Sequence, residues 1–351
     1  MRASAPWVVV GLDNGGTTNN ATVLDSNGRF LVDTLVETPS SVREGPKVAV
    51  RAMAEALDNI LVQTGLSRTS VRAVGLDTPG PATAQGVIST RGSTNFGHVD
   101  WRGFDIRGAL EHEIGLYVVY NNDANAAALY AHHRHFGPVA ASRSSVAAIV
   151  GTGLGGGVVE AGRVISGAAG MAGELGHVPI PVQDLLQADQ PIPECNCGQR
   201  GDAESVASLT GIEKNLLPYW LSRYPDHELA RVELSKAAKM VRSLAEAGDE
   251  LALKVFEQQA IAIGSLFTIA ANFTDPDAYF LGGGVVETAP HFRDWFLGTV
   301  REHTRLRQEQ RLVAGFALVP DRDMAGARGA AIAALDTVRV NPADPDTVFD
   351  T

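Results

Sequence analysis

Trp7-Val-Val-Val-Gly-Leu-Asp-Asn-Gly-Gly-Thr-Thr18 is the stretch that decides the fold, because an apolar run ends there in a glycine turn with an acid at its mouth. The run Trp7–Leu12 reads as a strand. A second copy of the device, Val146-Ala-Ala-Ile-Val-Gly-Thr-Gly-Leu-Gly-Gly-Gly157, begins its glycine turn 140 residues later. Glycines at such turns let backbone N–H groups approach an anion closely, and threonine hydroxyls add donors. Either turn alone could be an ordinary hairpin or strand–helix turn. Two in matching contexts, one carrying Asp13, point to two halves of one chain closing on a polyphosphate.

Outward from the first turn, Ala21–Leu24 and Phe30–Val36 read as strands joined by the turn Asp25-Ser-Asn-Gly28, so the chain opens as a β-meander. A helix is expected over Lys47–Thr64, then strands at Val71–Leu76 and Leu116–Tyr120, the last leading into Asn121–Ala128. Beyond the second turn lie a short strand and a Gly/Ala-rich loop with Gly173-Glu-Leu-Gly-His177. Pro179–Pro193 is proline-rich and reads as a surface insertion. Helical patterns fill Leu209–Ala271, Tyr279–Leu281 is a strand running into Gly282-Gly-Gly284, and Gly326–Leu335 reads as a closely packing helix of small residues. The tail Asn341–Thr351 reads as loose.

At 351 residues the chain can hold two domains and a well-buried core. Its 45% hydrophobic and 20% charged content is that of an ordinary soluble protein. A net charge of −11 argues against a nucleic-acid or anionic-membrane surface. It does not exclude a phosphate substrate, since Mg²⁺ and backbone amides can supply the positive field. No apolar stretch reaches the length of a membrane span, and the opening Met-Arg-Ala-Ser-Ala-Pro lacks a signal-peptide core, so a cytoplasmic enzyme is expected. The two cysteines, Cys195 and Cys197, stand one residue apart, a spacing poor for a disulfide and better for a metal or free thiols.

The motifs now line up in order: Asp13-Asn-Gly-Gly-Thr-Thr18, Asp77-Thr-Pro-Gly-Pro81, Thr94-Asn-Phe96 with Trp101, Asn122-Asp-Ala-Asn-Ala-Ala-Ala128, Gly151–Gly157, Gly173–His177, Cys195-Asn-Cys-Gly-Gln-Arg-Gly-Asp-Ala-Glu204, Asp275-Pro and Leu281-Gly-Gly-Gly284. In number and order they resemble the ROK family of sugar kinases and sugar-responsive regulators, within the actin-like ATPase superfamily, from Gly11 to about Ala334. The resemblance implies two α/β domains of ribonuclease-H-like type with a cleft between them. The smaller would span 1–121 plus 325–351 and the larger 122–324, and a homodimer is expected.

The resemblance also assigns roles. Asp123 would be the catalytic base that takes the proton of a sugar hydroxyl, with Asn122 bonding to neighbouring hydroxyls. Read from the residues alone, Asn122-Asp123 ahead of an alanine run is equally a helix N-cap. Asp13 would hold Mg²⁺ through water, with Gly15, Gly16, Thr17 and Thr18 facing the phosphates of ATP; from the residues alone Asp13 could be a turn residue. Gly151, Thr152 and Gly153 would cradle the nucleotide phosphates, and Gly283 and Gly284 would pass under the adenosine. Family members usually carry an aliphatic residue at Asn14 and often a lysine near Thr18, and this chain departs from both. Asn95, Glu174, His177 and Glu204 resemble the family's sugar-binding groups, although a Glu and His three apart are also common as a hydrogen-bonded pair. His177, Cys195 and Cys197 match three of the four zinc ligands of many members, and Asp202 stands where the fourth, usually cysteine, is found.

The implied reaction is ATP- and Mg²⁺-dependent transfer of a phosphoryl group to a primary hydroxyl of a hexose, most simply glucose. A C7-cyclitol or an amino sugar is the alternative acceptor, and polyphosphate the alternative donor. The family's transcription regulators carry a helix-turn-helix ahead of the first glycine turn, and a first strand at about Trp7 leaves no room for one. A catalytically dead sugar-binding protein is a further reading, opposed by the presence of both Asp13 and Asp123.

Overall fold

The computed structural model describes residues 7–90 and 96–340. β1 (Val8–Asn14) and β2 (Thr18–Asp25) form an antiparallel hairpin across the first glycine turn, in register from Val8 opposite Asp25 to Asn14 opposite Asn19. β3 (Val36–Pro39) pairs antiparallel with β2, while β4 (Val71–Thr78) runs parallel to β1 and β5 (Val118–Asn122) parallel to β4, giving the order β3-β2-β1-β4-β5. The central strands are buried on both faces, which is why they read as continuous apolar runs. Val8, Val10, Leu12, Val74 and Leu76 point to the side covered by α1 (Pro46–Thr64) and α2 (Ile106–Ile114), in one core with Met53, Leu57, Ile60 and Trp101. The buried positions of α1, among them Ala49, Met53, Ala56, Leu57 and Ile60, recur at helical spacing.

Gly11 and Gly75 face the other way, onto the closing helix Arg322–Val340. A Cβ at Gly11 would lie 1.9 Å from the carbonyl oxygen of Ala327, and one at Gly75 1.9 Å from that of Ala330. Only glycine allows the helix backbone to come so close. α3 (Asp123–Phe136) packs against the same helix, where Gly329 meets the Ala126 backbone.

A second sheet holds β6 (Ser145–Val150), β7 (Leu154–Glu160), β8 (Arg163–Val164), β9 (Ala278–Gly283) and β10 (Gly315–Leu318) in the order β10-β9-β6-β7-β8. β6 and β7 are an antiparallel hairpin across the second glycine turn, and β9 runs parallel to both β6 and β10. Its core is built on the helix Glu250–Thr274, whose N-terminus is capped by the Asp249 carboxylate accepting from Ala252 N at 2.9 Å.

The described chain separates into two compact units: residues up to Pro138 with Arg163–Ala172 and the chain from Asp321 onward, and Val139–Gly162 with Gly173–Pro320. Against the expected division at 121/122, α3 belongs with the first sheet, because its small-residue face is what the closing helix packs upon.

Two local expectations differ from the structure. Phe30–Val36 is not a strand: Phe30 makes only a bridge to Leu24, and the ladder resumes at Val36. The Phe30 ring is engaged elsewhere, edge-on to Tyr130 and 4.8 Å beneath the Arg328 guanidinium. Pro179–Pro193 is irregular but not a mere surface insertion, since Ile180 and Leu185 are in the core. Gln258, buried on the long helix, ties it down by donating to Leu185 O at 2.9 Å and Gln190 Oε1 at 2.7 Å. The tail 341–351 lies outside the described residues.

Candidate active site

In the first unit, strand register builds a polar row. Asn20, Asp13, Asp77 and Asn121 stand side by side on β2, β1, β4 and β5, at the C-terminal ends of the three parallel strands, where open α/β sheets bind ligands. Asn20 Nδ2 donates to Asp13 Oδ2 at 3.0 Å. Burial raises the Asp13 pKa from its ordinary value, and the Asn20 bond offsets part of that. Asp77 is wholly buried, and its pKa is pushed well up, first by burial and then by the charges of Asp13 and Asp123. Asp77 joins this row although the sequence reading gave it no individual role, and a signal for its place was present. Val-Gly-Leu-Asp occurs twice, at Val10–Asp13 and Val74–Asp77, and the two copies pair residue for residue.

Asn122 ends β5 and caps α3, its Oδ1 accepting from Ala124 N at 3.0 Å. Asp123 follows as the first helical residue, exposed, with Oδ1 accepting from the same amide at 2.7 Å. The capping reading therefore holds. It does not compete with a chemical role, because the cap is what fixes both side chains at the strand end beside the acid row. A Cβ at Gly80 would lie 2.6 Å from Asn122 Nδ2, so the Pro79–Pro81 turn crosses directly over that amide.

Gly15, Gly16 and Thr17 form the β1–β2 turn, closed by Gly15 N donating to Thr18 O at 2.9 Å, and Thr17 is exposed at its tip. Asn14 is buried, its Nδ2 donating to Asn19 Oδ1 at 2.6 Å, which gives this departure from the family pattern a structural use. Asn95 lies outside the described residues.

In the second unit, Gly151, Thr152 and Gly153 form the β6–β7 turn, held by Gly151 N to Gly153 O at 2.9 Å and by Thr210 Oγ1 donating to Thr152 O at 2.8 Å. Glu204 braces it: Oε2 accepts from Leu154 N at 2.9 Å, and a Cβ at Gly153 would stand 2.7 Å from that oxygen. The other oxygen of Glu204 accepts from Cys195 Sγ at 3.5 Å. Glu174, half-buried, has its pKa raised, mainly by burial, with His177 opposing and Glu204 adding to the shift. Gly283 sits at φ 90°, and a Cβ there would be 2.0 Å from Val150 O, so the end of β9 needs glycine. Gly284 accepts from Arg242 Nη1 at 2.6 Å through its carbonyl.

His177, Cys195, Cys197 and Asp202 converge, their ligand atoms all within 4.8 Å of one another. Cys195 Sγ is 3.8 Å from His177 Nδ1, and Asp202 Oδ2 lies 3.5 Å from both His177 Nδ1 and Cys197 Sγ. A tetrahedral zinc with bonds of about 2.0–2.3 Å has ligand–ligand edges of about 3.3–3.8 Å, so the set fits that ion. The buried Asp202 is shared: Oδ2 faces the cluster, while Oδ1 accepts from Ser205 N at 2.9 Å and caps α4 (Ala203–Ala207).

Solved structures share this architecture. A ROK hexokinase from Thermus thermophilus superposes with a TM-score of 0.74 at 32% identity, covering 95% of this chain and 99% of its own. A ROK family glucokinase from Streptomyces griseus, solved in complex with glucose and AMPPNP, gives 0.65 at 26% identity, covering 94% of this chain and 99% of its own. Among curated relatives, a glucokinase of Halalkalibacterium halodurans is 32% identical over 302 residues, 84% of each chain. The class is thereby defined: an α/β protein of the actin-like ATPase fold, and a carbohydrate kinase. The ROK family profile matches residues 9–337, and this chain belongs to the ROK family. Among the described residues no helix is long and apolar enough to cross a membrane.

Proposed function

We propose that this ROK kinase transfers the γ-phosphoryl group of ATP to a primary hydroxyl of a hexose, with glucose the foremost candidate. The observation that carries the reading is Asp123, an exposed carboxylate held by its own helix cap at the strand end beside Asp13 and Asp77. The similarity to named glucokinases supports the choice of acceptor. A sugar hydroxyl is a weak nucleophile, so Asp123 would take its proton as the oxygen attacks phosphorus. Asn122, with Oδ1 committed to Ala124 N, would donate from Nδ2 to a neighbouring hydroxyl. Glu174 and the Nε2 of His177, the ring atom turned from the cysteine cluster, are suited to further hydroxyls. Glu204, whose oxygens are engaged by Leu154 N and Cys195 Sγ, would act on the sugar while also shaping the Gly151–Gly153 turn. That turn and Gly15–Thr18 offer amides and hydroxyls to phosphate oxygens, and the Gly283–Gly284 bend a flat backbone to adenine.

Mg²⁺, for which Asp13 is the first candidate ligand, would supply neutralisation of the phosphates' charge. A zinc ion held by His177, Cys195, Cys197 and Asp202 would have a structural part, tying the 178–194 segment to α4. Two cysteines outside any disulfide suit the reducing cytoplasm, where we place the protein. The homodimer remains part of this proposal, carried by the family resemblance.

The test is ADP release with Mg·ATP across hexoses, N-acetylhexosamines and C7-cyclitols. Glucose is expected to turn over best, and Asp123→Asn to lower kcat by about 10²- to 10⁴-fold with little change in sugar KM. Turnover restricted to an amino sugar or a cyclitol would move the acceptor assignment to that class. Undiminished turnover in Asp123→Asn would remove the base assignment.

A further inference from the structure

Asp77 is, among the described residues, the one acid with both carboxylate oxygens buried and without a hydrogen-bond partner on any other residue, its own backbone amide alone favouring its charge. A carboxylate in such a place costs stability unless something answers it. No neighbouring side chain in the sheet does. Its neighbour on one side is another acid, Asp13, directly opposite in the β1–β4 register, and on the other Asn121, whose Nδ2 is also buried without a partner. An apolar residue at position 77 would be the simple packing solution, as Val9 and Ala73 are further down the same face. An acid there needs a ligand to explain it.

Both acidic side chains border the same point on the closing helix. A Cβ at Gly326 would lie 2.7 Å from Asp77 Oδ2, 3.0 Å from Asp13 Cγ and 3.2 Å from Asp13 Cβ. Asp77 Oδ2 and Asp13 Cγ are therefore within about 6 Å of each other, near enough to share one hard cation. The closing helix presents glycine there, so no side chain enters the space between the acids. Asp13 keeps Oδ2 on Asn20 and has Oδ1 for another partner, and the exposed Asp123 adds a third negative charge felt at Asp77. Three acids bring a field that attracts a divalent cation, and one wholly buried, unpartnered carboxylate supplies a ligand already stripped of water.

We propose that Asp77 is, with Asp13, a direct ligand of a divalent-cation site in the first unit that fills before nucleotide binds. This deepens the kinase reading and rests on it in one respect, that the cation is the one used in phosphoryl transfer. Mg²⁺ and Mn²⁺ commonly take one or two carboxylates and complete their shell with water and phosphate oxygens, so a buried Asp77 with a partly exposed Asp13 is a sufficient share from the protein. The site's charge also gives Asp77 its use: with a cation bound, Asp13 and Asp77 can both stay ionised side by side.

The test uses the full chain with Mn²⁺ as probe and neither nucleotide nor sugar present, following loss of the free Mn²⁺ resonance signal. The wild type is expected to take up one Mn²⁺ per chain, and Asp77→Asn, nearly the same in shape, to weaken uptake at least 10-fold. Asp13→Asn should do the same. Folding of each variant is checked by circular dichroism. If Asp77→Asn does not fold, Gly326→Ala, which puts a methyl between the acids, is to lower Mn²⁺ uptake at least 10-fold in its place. As a second readout, Mn²⁺ should raise the melting temperature of the wild type and not that of Asp77→Asn. Wild type that takes up no Mn²⁺ at millimolar concentration, or a folded Asp77→Asn that binds as the wild type does, overturns the proposal. Mn²⁺ uptake without sugar or nucleotide is independent of the acceptor, so its failure leaves the kinase reading standing, and a failed acceptor panel leaves the cation site standing.

Discussion

Gly75→Ala puts a methyl where the closing helix already is. The added Cβ would lie 1.9 Å from Ala330 O, 2.4 Å from its carbonyl carbon and 3.1 Å from its Cα, all backbone atoms that no rotamer change can move. A comfortable carbon–oxygen contact is about 3.3 Å, so helix or strand must retreat by about 1.4 Å. Overpacking of a core commonly costs about 1–3 kcal/mol, and a clash with backbone belongs at the top of that range. For a unit of this size such a loss lowers the melting temperature by roughly 5–10 °C. The same displacement reaches the acids, because Gly326 lies one turn before Ala330 on the same helix and faces Asp13 and Asp77. A misplacement of about 1 Å at a catalytic centre can cost on the order of 100-fold in rate. Gly298→Ala is the control: it lies mid-helix in Pro290–His303, and its added Cβ would meet nothing within 4 Å. That change should stabilise by about 0.5–1 kcal/mol and leave turnover alone. Thermal unfolding and ADP release on the three proteins decide the matter. A Gly75→Ala protein that melts within about 1 °C of wild type and turns over normally would refute the reasoning, since a shift of 1 kcal/mol alone is worth about 2–4 °C.

Further outcomes follow from the second unit. Purified protein should carry about one zinc per chain by elemental analysis, and Cys195→Ser should lower its affinity at least about 10-fold; zinc content unchanged by that substitution would dissolve the four-ligand assignment. Burial alone would raise the Asp277 pKa, but the Ser144 amide at 2.8 Å, the Arg143 guanidinium at 2.7 Å and the Ser144 hydroxyl at 3.2 Å outweigh it and hold it below 3.8. Its contribution is therefore present above pH 3.8 and lost as pH falls through the lowered folded value. Asp277→Asn should lower the melting temperature at neutral pH and narrow the gap from wild type in strong acid; a gap independent of pH would count against this ion pair.

What the sequence alone determined here is the local part. Apolar runs ending in glycine mark β1 and β6, because a half- or fully buried strand and its turn depend on neighbours in the chain. Asn122-Asp123 was legible for the same reason, since an N-cap is written within four residues. The cysteine pair was legible because the two thiols stand one residue apart, while His177 and Asp202 were joined to it only through the family resemblance. Tertiary structure decided what depends on partners far along the chain. Phe30 leaves the sheet because Tyr130 and Arg328 offer its ring a better place, and Pro179–Pro193 is held in by a glutamine some 70 residues away. Asp77 looks like the end of one more strand until β1 lies beside it. Only the parallel register sets one Val-Gly-Leu-Asp against the other, and only the glycines of both copies admit the helix that packs over the two acids.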